Sequence, residues 1–135
     1  MTQPKPSIRV VAAVVRSGDL YLITQRRDGA VLPRMWEFPG GRVEPGETDE
    51  AALERELRER LDVEARVGEK LAERHTTYPH YDVTLALYAA EIARPESIRA
   101  ARVRDFRWIS SGEFERYPFP AADQQTMDAL LGFKE

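Results

Sequence analysis

Two glutamates three positions apart, Glu56 and Glu59, are the residues of this 135-residue chain whose types and spacing most directly carry chemistry. On an α-helix, at about 100° per residue, they lie about 60° apart on one face. Like charges so placed disfavour an isolated helix, so a ligand must reward the pairing. A divalent cation does so, and oxygen donors suit a hard ion such as Mg2+ or Mn2+. Gly40, Gly41 and Gly46 precede them. A turn without side chains offers a backbone carbonyl and lets a phosphate chain come close. The same residues also read as a solvated, charge-laced helix in which Glu56–Arg60 and Glu47–Arg55 pairs serve only solubility. Residue types alone leave both readings open.

The helix that positions these carboxylates is plainly marked. Thr48 suits the N-cap, Asp49 and Glu50 place negative charge in the first turn, and Leu53, Leu57 and Leu61 form an apolar stripe. Before it, the valine-rich run Ile8–Val15 predicts a strand buried on both faces. Ser17-Gly18-Asp19 is a turn leading to a second strand, Leu20–Arg26, as a hairpin. Residues 28–35 read as an irregular loop. After the helix, 64–77 fits strand and helix equally, because Val63, Val67 and Leu71 are spaced by four. Tyr81–Ile92 alternates as a strand with Tyr81, Val83, Leu85, Leu87 and Ala89 on one face. Residues 94–104 read as a loop, Phe106, Trp108 and Ile109 as a short strand, and Met127, Leu130 and Leu131 as the core face of a last helix. Strands interleaved with two helices predict an α/β layered domain spanning 1–135, with a loose tail over 1–7.

Composition narrows the function classes. The net charge of −3 and a pI near 5.5 argue against duplex nucleic acid as a partner, though not against small phosphorylated ligands. With no cysteine there is no disulfide framework, thiol nucleophile or zinc-thiolate site, which fits a reducing compartment. The longest apolar run is far short of a membrane span and the N-terminus has no secretion pattern, so a cytoplasmic protein without membrane contact is expected, as monomer or homodimer.

The segment GRVEPGETDEAALERELRERLDV, residues 41–63, resembles the Nudix box, G-x5-E-x7-R-E-U-x-E-E-x-G-U with U aliphatic. Gly41, Glu47, Arg55, Glu56, Leu57, Glu59 and Val63 fall in register, seven of nine fixed positions. The flanking Trp36-Glu37-Phe38-Pro39-Gly40-Gly41 and Phe119-Pro120-Ala121-Ala122-Asp123 are similar to the MutT-type branch, which includes 8-oxo-dGTP diphosphatases and nucleoside triphosphate pyrophosphohydrolases. The resemblance implies an α/β/α sandwich with a mixed central sheet. It implies hydrolysis of a (deoxy)nucleoside triphosphate to monophosphate and pyrophosphate, in sanitation of oxidised or modified nucleotides, with Mg2+ or Mn2+ as cofactor. Glu56 would be a metal ligand and a candidate general base, Glu59 a metal ligand, and the Gly40 carbonyl a further one. Glu47 would orient Arg55, and Arg55 would hold Glu56. Gly41, Arg26, Glu37 and Asp123 would line the nucleotide site, with Tyr78 or Tyr81 stacking on a base. An ionised Asp123 only accepts hydrogen bonds, so it favours a base with an amino or imino donor; it also suits the N-terminus of the last helix.

Three positions depart from the pattern. Arg60 stands where the second glutamate of the E-E pair is expected, a swing of two charge units beside the ion. At roughly 6 Å and an effective dielectric of 20 the repulsion is bounded near about 5 kcal/mol. Either Arg60 grips a phosphate oxygen as a fixed cation, or the box is weakened and the domain binds nucleotides without fast hydrolysis. Another nucleoside diphosphate derivative is a further substrate class. Asp62 replaces the glycine of the box, a mild change because Asp tolerates the left-handed conformation. Relatives often place an acidic ligand in the loop before Trp108; here residues 99–105 hold only Asp105. His75 and His80, five apart with no fixed carboxylate near them in sequence, are a weak metal pair.

Overall fold

The computed structural model describes residues 5–120 and Thr126. The valine-rich run forms β1 (Ser7–Ser17), the strand around which the sheet is built. β1 turns at Gly18 into β2 (Leu20–Gln25), pairing Arg16 with Tyr21 and Ser17 with Leu20. Two short strands follow, β3 (Trp36–Glu37) and β4 (Gly40–Arg42). After the helix α1 (Asp49–Leu61) come β5 (Ala65–Tyr78), β6 (Tyr81–Ile92) and β7 (Asp105–Ser110). The strand order is β3-β2-β1-β6-β5, with β4 on β1 and β7 on β2. β1 runs parallel to β6 from Ser7↔Asp82 to Val15↔Ala90, and antiparallel to β4 and β2, so the sheet is mixed.

The helix ends where its sequence signals place it. Thr48 Oγ1 accepts from the Ala51 N–H at 3.1 Å, and Asp62 closes the last turn at φ 56°, ψ 43°, donating its N–H to the Arg58 carbonyl at 3.0 Å. Leu53, Leu57 and Leu61 are fully buried against Val11, Ala13, Ala86, Tyr88 and Ile92. Each contributes on the order of 1.5–3 kcal/mol by leaving water. Asp49 anchors the other end: it takes a two-pronged contact from Arg9 of β1, 2.6 Å on each side, and the Tyr88 hydroxyl at 2.6 Å. Burial and this carboxylate push the Tyr88 hydroxyl up to about 12.

Two readings need correction, and two that the sequence left open are settled. Residues 65–78 are a strand; register shifts between Val67 and Ala72 break the alternation, which is why the spacing of four imitated a helix. The face of β6 holding Tyr81, Val83, Leu85 and Leu87 is not the one that receives α1. Ala86, Tyr88, Ala90 and Ile92 meet the helix, while Leu85 and Leu87 line a cleft on the other side. The glycine- and proline-rich stretch contains β3 and β4, too short to show periodicity. The second strand ends at Gln25, one residue early. A second cluster joins Ile23, Trp36 and Ile109 to Phe38, Phe114, Tyr117 and Phe119, with Trp36 donating to the Pro118 carbonyl at 2.8 Å. Asp123 and the last helix's Met127, Leu130 and Leu131 lie outside the described residues.

Candidate active site

Glu56 sits on the sheet-facing side of α1 with only 8% of its surface exposed. It lies against Gly41 of β4, where a Cβ would come 2.4 Å from the Glu56 Cδ and 2.6 Å from each carboxylate oxygen. A side chain at Gly41 and this carboxylate cannot share the space. Glu59, one turn on, keeps 42% of its side chain exposed.

Arg55 ties the constellation together with its guanidinium donors. Nε and Nη2 meet Glu47 at 2.7 and 2.9 Å, and Nη2 also donates to the Arg42 carbonyl at 3.0 Å. Nη1 donates to Glu56 Oε1 at 2.9 Å and lies 3.5 Å from Glu59 Oε2. Glu47 in turn accepts the Glu44 N–H at 2.9 Å. The brace runs loop to helix to β4, which fixes Arg55 and through it Glu56. The Arg55 guanidinium, helped by the Glu44 amide, holds the Glu47 carboxyl down at about 2 from an ordinary 4.5. Because the folded value is depressed, the brace's contribution is complete above 4.5 and is lost as pH falls through 2. A carboxyl NMR titration is therefore expected to place Glu47 near 2, and Arg55→Gln to return it toward 4.5. A Glu47 midpoint near 4.5 in the parent chain contradicts the brace.

The other Glu56 oxygen faces a cation that belongs to the protein. Arg60 Nε donates to Glu56 Oε2 at 2.6 Å, and Arg60 Nη1 lies 4.0 Å from Glu37 Oε2. Arg26 meets the same Glu37 through Nη1 at 3.2 Å and donates through Nε to the Val31 carbonyl at 2.6 Å. Among the described residues no three acidic or histidine side chains converge as a metal-holding group. Two carboxylates reached by one Arg55 nitrogen, completed by phosphate oxygens of a ligand, are nevertheless a donor set that Mg2+ ordinarily takes. The residues fit an ion that arrives with a phosphorylated ligand. The β1–β4 ladder fixes which way the Gly40 carbonyl points. Ala13 N–H donates to the Pro39 carbonyl and Val43 N–H to Arg9, so 39, 41 and 43 face β1. The Gly40 and Arg42 carbonyls point to the opposite edge, as the Arg55 contact with Arg42 requires.

Two clefts adjoin here and share Arg26 and Arg60. One, of about 220 Å³, is polar and lined by Arg26, Arg27, Glu56, Glu59, Arg60 and Arg102. The other, of about 430 Å³, is walled by Phe38, Leu85, Leu87 and Phe119, with Glu37, Gly40 and Gly41 at its polar side. Of the residues expected at the site, Tyr78 is not in either lining; it stacks on Tyr81 at 5.1 Å in a cluster with Ile8 and Val10. Asp105 is spent elsewhere, on its neighbour Phe106 N–H at 2.8 Å and on Arg107 at 3.0 Å. His75 contacts Thr84 and Glu73, with no link to His80 among these contacts. Arg27 and Arg102 escaped the sequence reading because loop residues far apart in the chain carry no spacing signal.

The NUDIX domain family profile matches residues 10–129. A CTP pyrophosphohydrolase of Escherichia coli is 32% identical over 127 residues, 94% of this chain and 93% of that protein. An 8-oxo-dGTP diphosphatase of Haemophilus influenzae is 32% identical over 129 residues, covering 94% and 93%. The solution structure of the E. coli ORF135 protein superposes with a TM-score of 0.72 at 32% identity, over 95% of this chain and 91% of that one. The MutT protein of Methanosarcina mazei gives 0.74 at 18% identity, covering 97% of each chain, which speaks for the fold, an α/β/α sandwich on a mixed sheet. Together with a box glycine packed on a buried, arginine-braced glutamate, these similarities establish that the chain belongs to the Nudix hydrolase family, in its MutT-type branch.

Proposed function

We propose that the chain is a metal-dependent (deoxy)nucleoside triphosphate pyrophosphohydrolase, releasing a nucleoside monophosphate and pyrophosphate and serving to remove oxidised or modified nucleotides. The observation that carries this reading is the pair of adjoining clefts. The apolar one suits a base and the arginine-lined one a phosphate chain, with Glu56 and Glu59 in the lining of the latter. Relatives named for CTP and 8-oxo-dGTP support the same substrate class.

In this reading Glu56 and Glu59, with the Gly40 carbonyl, hold Mg2+ or Mn2+. When bound, such an ion neutralises phosphate oxygens and lowers the pKa of the attacking water. The water oxygen bonds to phosphorus as the α–β phosphoanhydride bond breaks, and the proton lost by water passes to Glu56. Arg55 keeps that carboxylate in place, while Arg60 leaves Glu56 Oε2 for a phosphate oxygen. Phe38 and Phe119 flank the base, and Glu37 presents a carboxylate toward its edge. Asp123 is proposed as a second acceptor for the base.

A panel of natural and oxidised (deoxy)nucleoside triphosphates with Mg2+, analysed for both products, tests the assignment. Pyrophosphate and monophosphate in equal amounts are expected. Orthophosphate release, turnover confined to another nucleoside diphosphate derivative, or nucleotide binding without turnover each overturns it.

A further inference from the structure

Arg9 of β1 holds both ends of the turn that carries Glu47. Its carbonyl accepts the Val43 N–H at 2.9 Å, just past β4. Its guanidinium grips Asp49, the first residue of α1, with Nε and Nη2 each 2.6 Å from a carboxylate oxygen. The stretch 43–49 is thus fastened at each end to one residue of the strand around which the sheet is built. The hold extends to the neighbouring strands. Tyr88 of β6 donates its hydroxyl to Asp49 Oδ2 at 2.6 Å, and Arg9 Nη2 also reaches Glu73 of β5 at 2.8 Å. Asp49 is largely buried, and the Arg9 guanidinium holds its carboxyl below the usual carboxylate range, so the contact joins full charges. Arg9, Asp49, Tyr88 and Glu73 line neither cleft.

The leucines that seat α1 on the sheet do not fix its axial position, because apolar burial is non-directional and a helix can slide on it at little cost. A two-pronged charge contact sets both distance and direction. Asp49 lies seven positions before Glu56, about 20° short of two full turns and about 10 Å along the axis. The two share one face of α1, so an axial slip at Asp49 is passed on to Glu56. Glu56 has no slack to absorb it, since even a Cβ at Gly41 would come 2.4 Å from its Cδ. From this arrangement we infer that Arg9, through Asp49, is a positioning residue: it sets where α1 rests along the sheet and so seats the Glu56 carboxylate beside Gly41. Its effect on turnover rests on the hydrolysis proposed above; the seating itself does not.

Nitrogen–proton correlation NMR of the full chain, read at the Gly41 amide and the Arg55 Nε–H, reports the seat directly, and steady-state kinetics report its consequence. In Arg9→Met both cross-peaks should move and kcat should fall by about tenfold or more, with KM within about twofold, since a misplaced carboxylate spoils alignment rather than binding. Arg9→Lys keeps the charge but only one prong, and should recover part of kcat. Leu53→Ala opens a cavity under the same helix and should lower Tm at least as far. Well below its midpoint it should nonetheless keep both cross-peaks and kcat near the parent's. Should Arg9→Met fail to fold, Tyr88→Phe removes a single hydrogen bond to Asp49 and is expected to move the same cross-peaks with a smaller loss of kcat. Cross-peaks left in place by these variants, or moved as far by Leu53→Ala, overturn the inference. Displaced cross-peaks in a chain whose parent hydrolyses no nucleoside triphosphate would leave the seating role standing and sink the substrate reading instead.

Discussion

Glu56→Gln is expected to reduce kcat by about 10²–10⁴-fold while the chain still folds, the range for loss of a positioned proton acceptor. The replacement keeps the volume against Gly41 but not the charge. At present one oxygen accepts from Arg55 Nη1 at 2.9 Å and the other from Arg60 Nε at 2.6 Å. An amide has one oxygen, so its NH2 group must face one of those donors, and a guanidinium loses its counter-charge in a site only 8% exposed. The accompanying loss of stability should be about 1–3 kcal/mol, read from thermal unfolding. Glu59→Gln makes the contrast. Its side chain is 42% exposed and its arginine contact is 3.5 Å long, so Tm should hardly move while turnover still falls. A Glu56→Gln chain that keeps hydrolysis within about tenfold of the parent would remove this carboxylate from the chemistry.

What the amino-acid order revealed, and what it hid, follows from the range of the interactions. α1 was legible because its information is local: a threonine cap, acidic residues in the first turn, and leucines every four residues. The Glu47–Arg55–Glu56 brace was legible only through the resemblance to the Nudix box; residue types alone read Glu47–Arg55 equally as a surface pair, although the contacts lie within nine positions of one another. The cleft was not. Arg102 reaches it because the 99–102 backbone caps the carbonyls of Arg60 and Leu61, and Arg104 reaches back to Gln25; each link joins residues about 40 to 80 positions apart. β6 left a different question open. Both of its faces carry apolar residues, so alternation located the strand without telling which face meets the helix and which walls a cleft. Tyr78 illustrates the same limit: an aromatic side chain near a sheet end serves stacking on a neighbour as readily as stacking on a base.

Gly40 and Gly41 should fail differently when each is given a methyl group, although they are adjacent. At Gly40 an added Cβ would lie 2.0 Å from the Val11 carbonyl oxygen and 2.7 Å from the Ala12 Cα. Those atoms are backbone of the central strand, so the collision can be relieved only by parting β4 from β1. Gly40→Ala is expected to cost about 3 kcal/mol or more, beyond ordinary overpacking, and to lower Tm by about 10 °C. At Gly41 the added Cβ meets the Glu56 carboxylate instead, the far end of a side chain that can turn away. Gly41→Ala should therefore melt closer to the parent than Gly40→Ala does. It should nonetheless lose about 10²-fold or more in kcat, because the displaced carboxylate leaves Arg55 and Arg60 and with them the position from which it is proposed to hold the ion. Measuring Tm and kcat on both variants separates a glycine needed for chain packing from one needed to seat a carboxylate. If Gly41→Ala kept full turnover, Glu56 would not need its seat against β4, and the site as built from that contact would be wrong.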